Sequence, residues 1–182
     1  MITKKNILAI IGSASTNSSN LCLVKRIAEL TDDKFNVTIF DGLSGLPHFN
    51  PELSIGETPQ PVQDFRELVL KSDGIIICTP EYIFSIPAGL KNAIEWCVAT
   101  TVFSKKPLGI ITASASGQKG HEELQLIMKT IEADFTQETT LLVQGVKGKI
   151  DKEGNISDDK TKNDVQNFIA SFYHLLMTEP DE

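Results

Sequence analysis

Ile7-Leu8-Ala9-Ile10-Ile11-Gly12-Ser13-Ala14-Ser15-Thr16-Asn17-Ser18-Ser19-Asn20-Leu21 is the stretch that decides the fold. Its first five residues are all apolar and three are β-branched. They read as a strand covered on both faces, because a strand with one wet face alternates apolar and polar side chains. A run of small hydroxyl and amide residues follows, the composition that opens a helix. From Leu21 the apolar set Leu21, Val24, Ile27, Ala28 and Leu30 falls mostly at three- and four-residue steps, which predicts a helix lying over a sheet. Strand, polar turn and amphipathic helix are the opening of a parallel crossover unit.

Working outward, four more short apolar runs read as buried strands, at residues 37–40, 75–78, 108–111 and 141–143. Helical spacing recurs in Val62, Phe65, Leu68 and Val69, in Leu90, Ala93, Ile94 and Cys97, in Leu124, Ile127, Met128 and Ile131, and in Val165, Phe168, Ile169 and Phe172. Strands alternating with amphipathic helices predict an α/β fold with a five-stranded parallel sheet covered on both faces, a three-layer sandwich. In its flavodoxin-like form the strand order is 2-1-3-4-5, and ligands bind beyond the carboxyl ends of the strands at the switch point between strands 1 and 3. Function is therefore expected in the loops after Ile11, Cys78 and Thr112. Residues 42–61, rich in Gly, Pro and Ser, read as a long surface loop, and residues 147–159 as a polar excursion before the last helix.

The bulk properties narrow the class. The 182 residues suit one domain, 1–182, and a composition of 41% hydrophobic and 23% charged residues is that of a chain that folds. The net charge of −7 argues against nucleic acid and against an anionic membrane surface as partners. The apolar run after Lys4 and Lys5 is too short for a signal-peptide core or a membrane span. Cys22, Cys78 and Cys97 are odd in number and contain no Cys-x-x-Cys pair, which fits a cytoplasmic location.

The first loop, from Ser13 through Ser15, Ser18, Ser19 and Asn20 to Leu21, leads straight into a helix. A helix start offers unpaired N–H groups and the positive end of the helix dipole, so this loop is a candidate cradle for a monoester phosphate. One or two of its polar residues would be needed for helix capping alone; the density of donors exceeds that. Gly-x-Gly-x-x-Gly is absent from this loop, and no Gly-x-x-x-x-Gly-Lys-Ser/Thr occurs. The second loop, Thr79-Pro80-Glu81-Tyr82-Ile83-Phe84-Ser85-Ile86-Pro87, combines two stiffening prolines with flat aromatic surface, suited to the edge of a planar ring. The third, Ala113-Ser114-Ala115-Ser116-Gly117-Gln118-Lys119-Gly120-His121, again gives small residues and free backbone.

Together these segments resemble the NADPH-dependent FMN reductase family of flavodoxin-like quinone, azo and chromate reductases. The likeness rests on Pro80, Glu81, Tyr82, Ser85, Pro87, Leu90, Lys91, Asn92, Ala93, Ile94 and Trp96, and on Gly12, Ser13, Ser18 and Asn20 of the first loop. The chain departs from the family pattern at Ser15, where an arginine is usual, at Ile83 in place of asparagine, and at His121 in place of a second glycine. The resemblance implies bound FMN, with NADPH or NADH as co-substrate. Hydride would pass from the nicotinamide to flavin N5 and on to a small-molecule acceptor: a quinone, an azo compound, a metal oxyanion or free flavin. It implies cofactor-binding roles for Ser13, Ser15, Ser18, Ser19, Asn20, Leu21, Pro80, Glu81, Tyr82, Ile83, Ser114, Ser116 and Gly117, no catalytic side chain and no metal, and a homodimer or homotetramer. A flavodoxin-like electron carrier and a cofactor-free binding domain remain alternatives on the same fold.

Other residues carry less. His48, His121 and His174 stand far apart, without metal-ligand spacing. Ser13 lacks the Gly-x-Ser-x-Gly setting of a hydrolase nucleophile. Cys78, Cys97 and Trp96 read as packing residues, and Lys91 with Glu95 as a helix-surface ion pair.

Overall fold

The computed structural model describes residues 3–151 and 153–178. Strands β1 (Lys5–Ile11), β2 (Phe35–Phe40), β3 (Gly74–Thr79), β4 (Leu108–Ser114) and β5 (Thr140–Gln144) form one parallel sheet in the order β2-β1-β3-β4-β5, as expected for the flavodoxin-like form. Every residue of β3 and β4 is buried. Central strands lose polar alternation because both faces are covered.

Helices α1 (Ser19–Leu30) and α5 (Asp159–Met177) cover one face, and α2 (Gln60–Lys71), α3 (Ala88–Glu95) and α4 (Gln118–Thr130) the other. The two-residue period of the strands splits the apolar residues between two cores. Leu8, Ile10, Ile75, Ile77, Leu108 and Ile110 meet α2, α3 and α4; Ile7, Ala9, Ile11, Ile76, Cys78 and Ile111 meet α1 and α5. Gly109 admits α5 closely, since a Cβ there would stand 2.6 Å from Cζ of Phe168.

Several boundaries differ from the sequence reading, each for a local reason. α1 begins at Ser19, because Ser18 is its N-cap and its Oγ accepts the N–H of Leu21 at 3.1 Å. β2 extends back to Phe35, which pairs with Lys5 across the sheet edge and is buried against Phe172 and Tyr173. Cys97 lies beyond the end of α3, although it is buried as expected, and that burial pushes its thiol up to about 12.

The largest correction concerns residues 42–61, which do not form a loop free on the surface. Leu43 and Leu46 are buried, and two single 3₁₀ turns, Leu43–Gly45 and Pro51–Leu53, shape the path. Arg66 of α2 fastens this segment to the end of α3. Its Nη2 donates to Ser54 O at 3.1 Å and Oγ at 3.2 Å, its Nη1 to Thr58 Oγ1 at 3.3 Å, and its Nε to Trp96 O at 2.9 Å. A guanidinium on the last carbonyls of a helix also meets the negative end of its dipole. From the other side, Trp96 Nε1 and Asn92 Nδ2 donate to Pro47 O at 2.8 and 2.9 Å, and Asn92 Oδ1 accepts from Phe49 N at 2.7 Å. The described part of residues 147–159 is likewise more than an excursion, with the 3₁₀ turn Val146–Gly148, buried Ile150 and an Ile150–Ile156 bridge.

Candidate functional site

The carboxyl ends of β1 and β3 are adjacent in the sheet, and their chains then leave on opposite sides. Gly12 N donates to Cys78 O at 2.8 Å, and a Cβ on Gly12 would stand 2.2 Å from Thr79 Oγ1, so only glycine lets the two strand ends lie this close. Two hollows open above this point. One, of about 330 Å³, is bordered by residues 11–16, Leu21, Asp41, Leu43, Ser44, Tyr82 and residues 87–89. The other, of about 510 Å³, is bordered by Ser13, Ser15, Ser18, Asn20, residues 80–82, residues 113–115 and residues 145–147. They share Ser13, Ser15 and Tyr82.

Of the residues singled out from sequence, Ser13, Ser15, Ser18, Asn20, Leu21, Pro80, Glu81, Tyr82 and Ser114 border one hollow or both; Ser19, Ile83, Ser116 and Gly117 do not. Ser13 Oγ accepts from Ser15 N at 3.2 Å and lies 3.5 Å from Tyr82 Oη, which joins the first loop to the second. With Leu21 N–H taken by Ser18, the N–H groups of Ser19 and Asn20 have no partner inside the helix and face the positive end of its dipole outward.

Asn20 and Glu81 border the larger hollow, and their side chains are also committed to the protein. Asn20 is buried; its Nδ2 donates to Ala113 O at 3.1 Å and its Oδ1 accepts from Cys78 Sγ at 3.3 Å, which ties the start of α1 to β3 and β4. Burial raises the pKa of the Cys78 thiol, keeping it a neutral donor. Glu81 caps α4. Its Oε1 accepts from Gly117 N at 3.2 Å and its Oε2 from Gly120 N at 2.9 Å, where Gly117, at φ +87°, supplies no cap of its own. A carboxylate at a helix start gains both the hydrogen bonds and the dipole.

Glu123 adds a second fastening. Its Oε2 accepts from Ser85 Oγ at 2.6 Å and Ile86 N at 3.1 Å, so residues 80–87 are bound to α4 at both ends. Between the fastenings is a two-residue turn: Tyr82 N donates to Ser85 O at 2.9 Å and Ser85 N to Tyr82 O at 3.1 Å. Ile83 and Phe84 sit at its tip with φ of 52° and 57°, the pattern of a type I′ turn, which Asn and Gly favour. Their side chains are 96% and 75% exposed. Below the third loop, His121 is buried with its Nδ1 2.9 Å from Thr112 Oγ1, and burial lowers its pKa below the usual histidine value.

Sequence reasoning missed Glu123, which has no motif, and Lys147, which stands on the loop after β5. That loop leaves the same carboxyl edge as the other three, and the rule that led to them points to it equally.

A family model, NADPH-dependent FMN reductase, matches residues 5–144. The chain belongs to this family. It is thus an NAD(P)H-dependent oxidoreductase that uses FMN, and two relatives show how far the likeness to other FMN reductases and quinone reductases extends. An NADPH:quinone oxidoreductase of Arabidopsis thaliana is 30% identical over 174 residues, 91% of this chain and 88% of the relative. An NAD(P)H-dependent FMN reductase of Pseudomonas aeruginosa is 28% identical over 166 residues, 88% of this chain and 89% of the relative. Among solved structures, a flavoenzyme NAD(P)H:acceptor oxidoreductase of Paracoccus denitrificans has the same fold, with a TM-score of 0.84 at 23% identity over 94% of this chain and 97% of that one. No helix among the described residues is long and apolar enough to cross a membrane.

The residues present suit FMN. The larger hollow has the volume of an ordinary ligand site and is bordered by the hydroxyl residues Ser13, Ser15 and Ser18 beside Asn20 of the first turn of α1, and by Pro80 and Tyr82. A phosphate needs the first and a planar ring the second.

Proposed function

We propose that the chain reduces quinone-type acceptors with electrons from NADPH or NADH, and that residues 1–182 act as one FMN-binding unit. The observation that carries this reading is the pair of hollows meeting at Ser13, Ser15 and Tyr82. The larger one would hold FMN, with Ser13, Ser15, Ser18 and Asn20 at the phosphate and Pro80 to Tyr82 with Ser114 along the ring, while Leu21 borders the smaller hollow. Ser19, Ser116 and Gly117 would shape the first and third loops from outside the two hollows, the N–H of Gly117 being held by Glu81. The smaller hollow, bordered largely by apolar residues such as Ile11, Leu43, Pro87 and Ala88, would receive the nicotinamide and the acceptor in turn.

FMN, when bound, supplies the hydride chemistry. The side chains bind and orient, and none is needed as a general base. Tyr82, half-exposed between the hollows, would form a wall common to both.

The name of the Arabidopsis thaliana relative, an NADPH:quinone oxidoreductase, supports the choice of acceptor. We place the enzyme in the cytoplasm, a reading supported by an odd number of cysteines without a Cys-x-x-Cys pair. It would act as a homodimer or homotetramer, supported by the exposed apolar tip at Ile83 and Phe84 beside the site.

A steady-state screen of NADPH and NADH against benzoquinones, an azo dye, chromate and free FMN tests the reading. The expected result is fastest turnover with quinones and parallel double-reciprocal lines, as one shared acceptor site requires. Tyr82→Ala should raise the acceptor KM or loosen FMN by about 1 kcal/mol, the scale of a lost aromatic contact. Bound flavin with no nucleotide oxidation by any acceptor would overturn it in favour of an electron carrier.

A further inference from the structure

The FMN phosphate is a dianion at neutral pH, and hydroxyls and N–H groups alone leave it without a counter-charge. Three charged side chains border the two hollows: Asp41, Glu81 and Lys147. Glu81 is committed to Gly117 and Gly120, and Asp41 belongs to the smaller hollow. Lys147 is therefore the one cationic group bordering the larger hollow among the described residues, and it borders it together with Ser13, Ser15, Ser18 and Asn20.

The ion pairs found among the described residues all use other cations, and Lys147 enters none of them. Its backbone is fixed. Gly145 N donates to Ala115 O at 3.1 Å, Gly148 N to Gly145 O at 3.0 Å, and Ile150 N to Val146 O at 3.0 Å, while Val146 and Ile150 are buried in the core beneath α1 and α5. A lysine on such a turn gives up less freedom on binding than one on a mobile loop.

We infer that Lys147 is the counter-charge of the FMN phosphate, reaching it across the hollow from the loop after β5. The inference rests on the placement of FMN proposed above. A phosphate is also carried by the nicotinamide nucleotide, so the test separates the two sources.

The test compares the full chain, freed of flavin, with Lys147→Gln and Lys147→Arg, titrating FMN and riboflavin by flavin fluorescence and measuring KM for NADPH and NADH in the loaded enzymes. Riboflavin has the ring and lacks the phosphate. The expected result is that Lys147→Gln weakens FMN about tenfold, the scale of one lost charge-assisted bond, leaves riboflavin unchanged, and flattens the salt dependence of FMN binding, with Lys147→Arg near wild type. Unfolding of the flavin-free proteins at one temperature shows that the variants are folded. Equal FMN affinity in wild type and Lys147→Gln would overturn the inference, as would a parallel loss for FMN and riboflavin, or an effect confined to the KM for NADPH. Wild-type protein that binds FMN no better than riboflavin would instead overturn the placement of the phosphate.

Discussion

Replacing Ile83 by Asn and Phe84 by Gly should make the protein more stable, although it removes two large apolar side chains. Both residues lie at φ values of 52° and 57° in the tip of the second loop. That region costs a residue with a Cβ about 1–2 kcal/mol, and a β-branched one is the least suited to it. Little packing is lost in return, since the side chains are 96% and 75% exposed. Asn tolerates the left-handed region; Gly adopts it freely but gives back about 0.5–1 kcal/mol in chain entropy. The sum is a gain of about 1–2 kcal/mol, or about 3–6 °C in Tm for a chain of this size. Thermal unfolding of the flavin-free double variant, at a dilution where light scattering shows both proteins to be monomeric, reads it directly. An unchanged or lower Tm there would refute the strain argument.

Glu81→Gln should cost about 1–3 kcal/mol in urea unfolding, because an amide accepts from only one of the Gly117 and Gly120 N–H groups and turns an N–H donor toward the other. Asn92→Ala should cost a similar amount, about 1–3 kcal/mol, and should speed amide exchange at Phe49, whose N–H loses its acceptor. His121 gives a pH signature. Burial holds its folded pKa below the ordinary 6.5, so unfolding takes up a proton; its contribution is fully present above about pH 6.5 and is lost as pH falls toward the folded value. Unfolding between pH 7 and 5 should therefore show a smaller loss of stability in His121→Gln than in wild type.

The sheet was legible because its physics is local. Strands covered on both faces become apolar runs, and crossover helices keep a 3.6-residue period, so the alternation followed, and the order β2-β1-β3-β4-β5 came with the flavodoxin-like form of that alternation. The ends of elements were less legible, since Ser18 as a cap or Phe35 as a buried edge residue depends on a neighbour elsewhere in space. The packing of residues 42–61 was not legible. It depends on Arg66, Asn92 and Trp96, whose partners lie 8 to 49 positions away in sequence. The same holds within the site. Spacing and resemblance brought out Asn20, Glu81, Asn92 and Trp96, and nothing in a sequence separates a side chain that touches a ligand from one that fastens a loop. Lys147 went unremarked because its segment read as a polar excursion rather than as a fourth loop on the ligand edge.

The two fastenings of the second loop bear on how choosy the enzyme can be. With Glu81 holding one end of residues 80–87 to α4 and Glu123 of α4 holding the other, the tip at Ile83 and Phe84 is the part left unfastened. This wall of the entrance cannot close around one guest and reject another by completing itself, as the lid of an induced-fit enzyme does. Selection then falls to the width and depth of a fixed doorway. Flat molecules thin enough to enter would be processed with little regard for their substituents, and the enzyme would be a generalist whose range is set by shape.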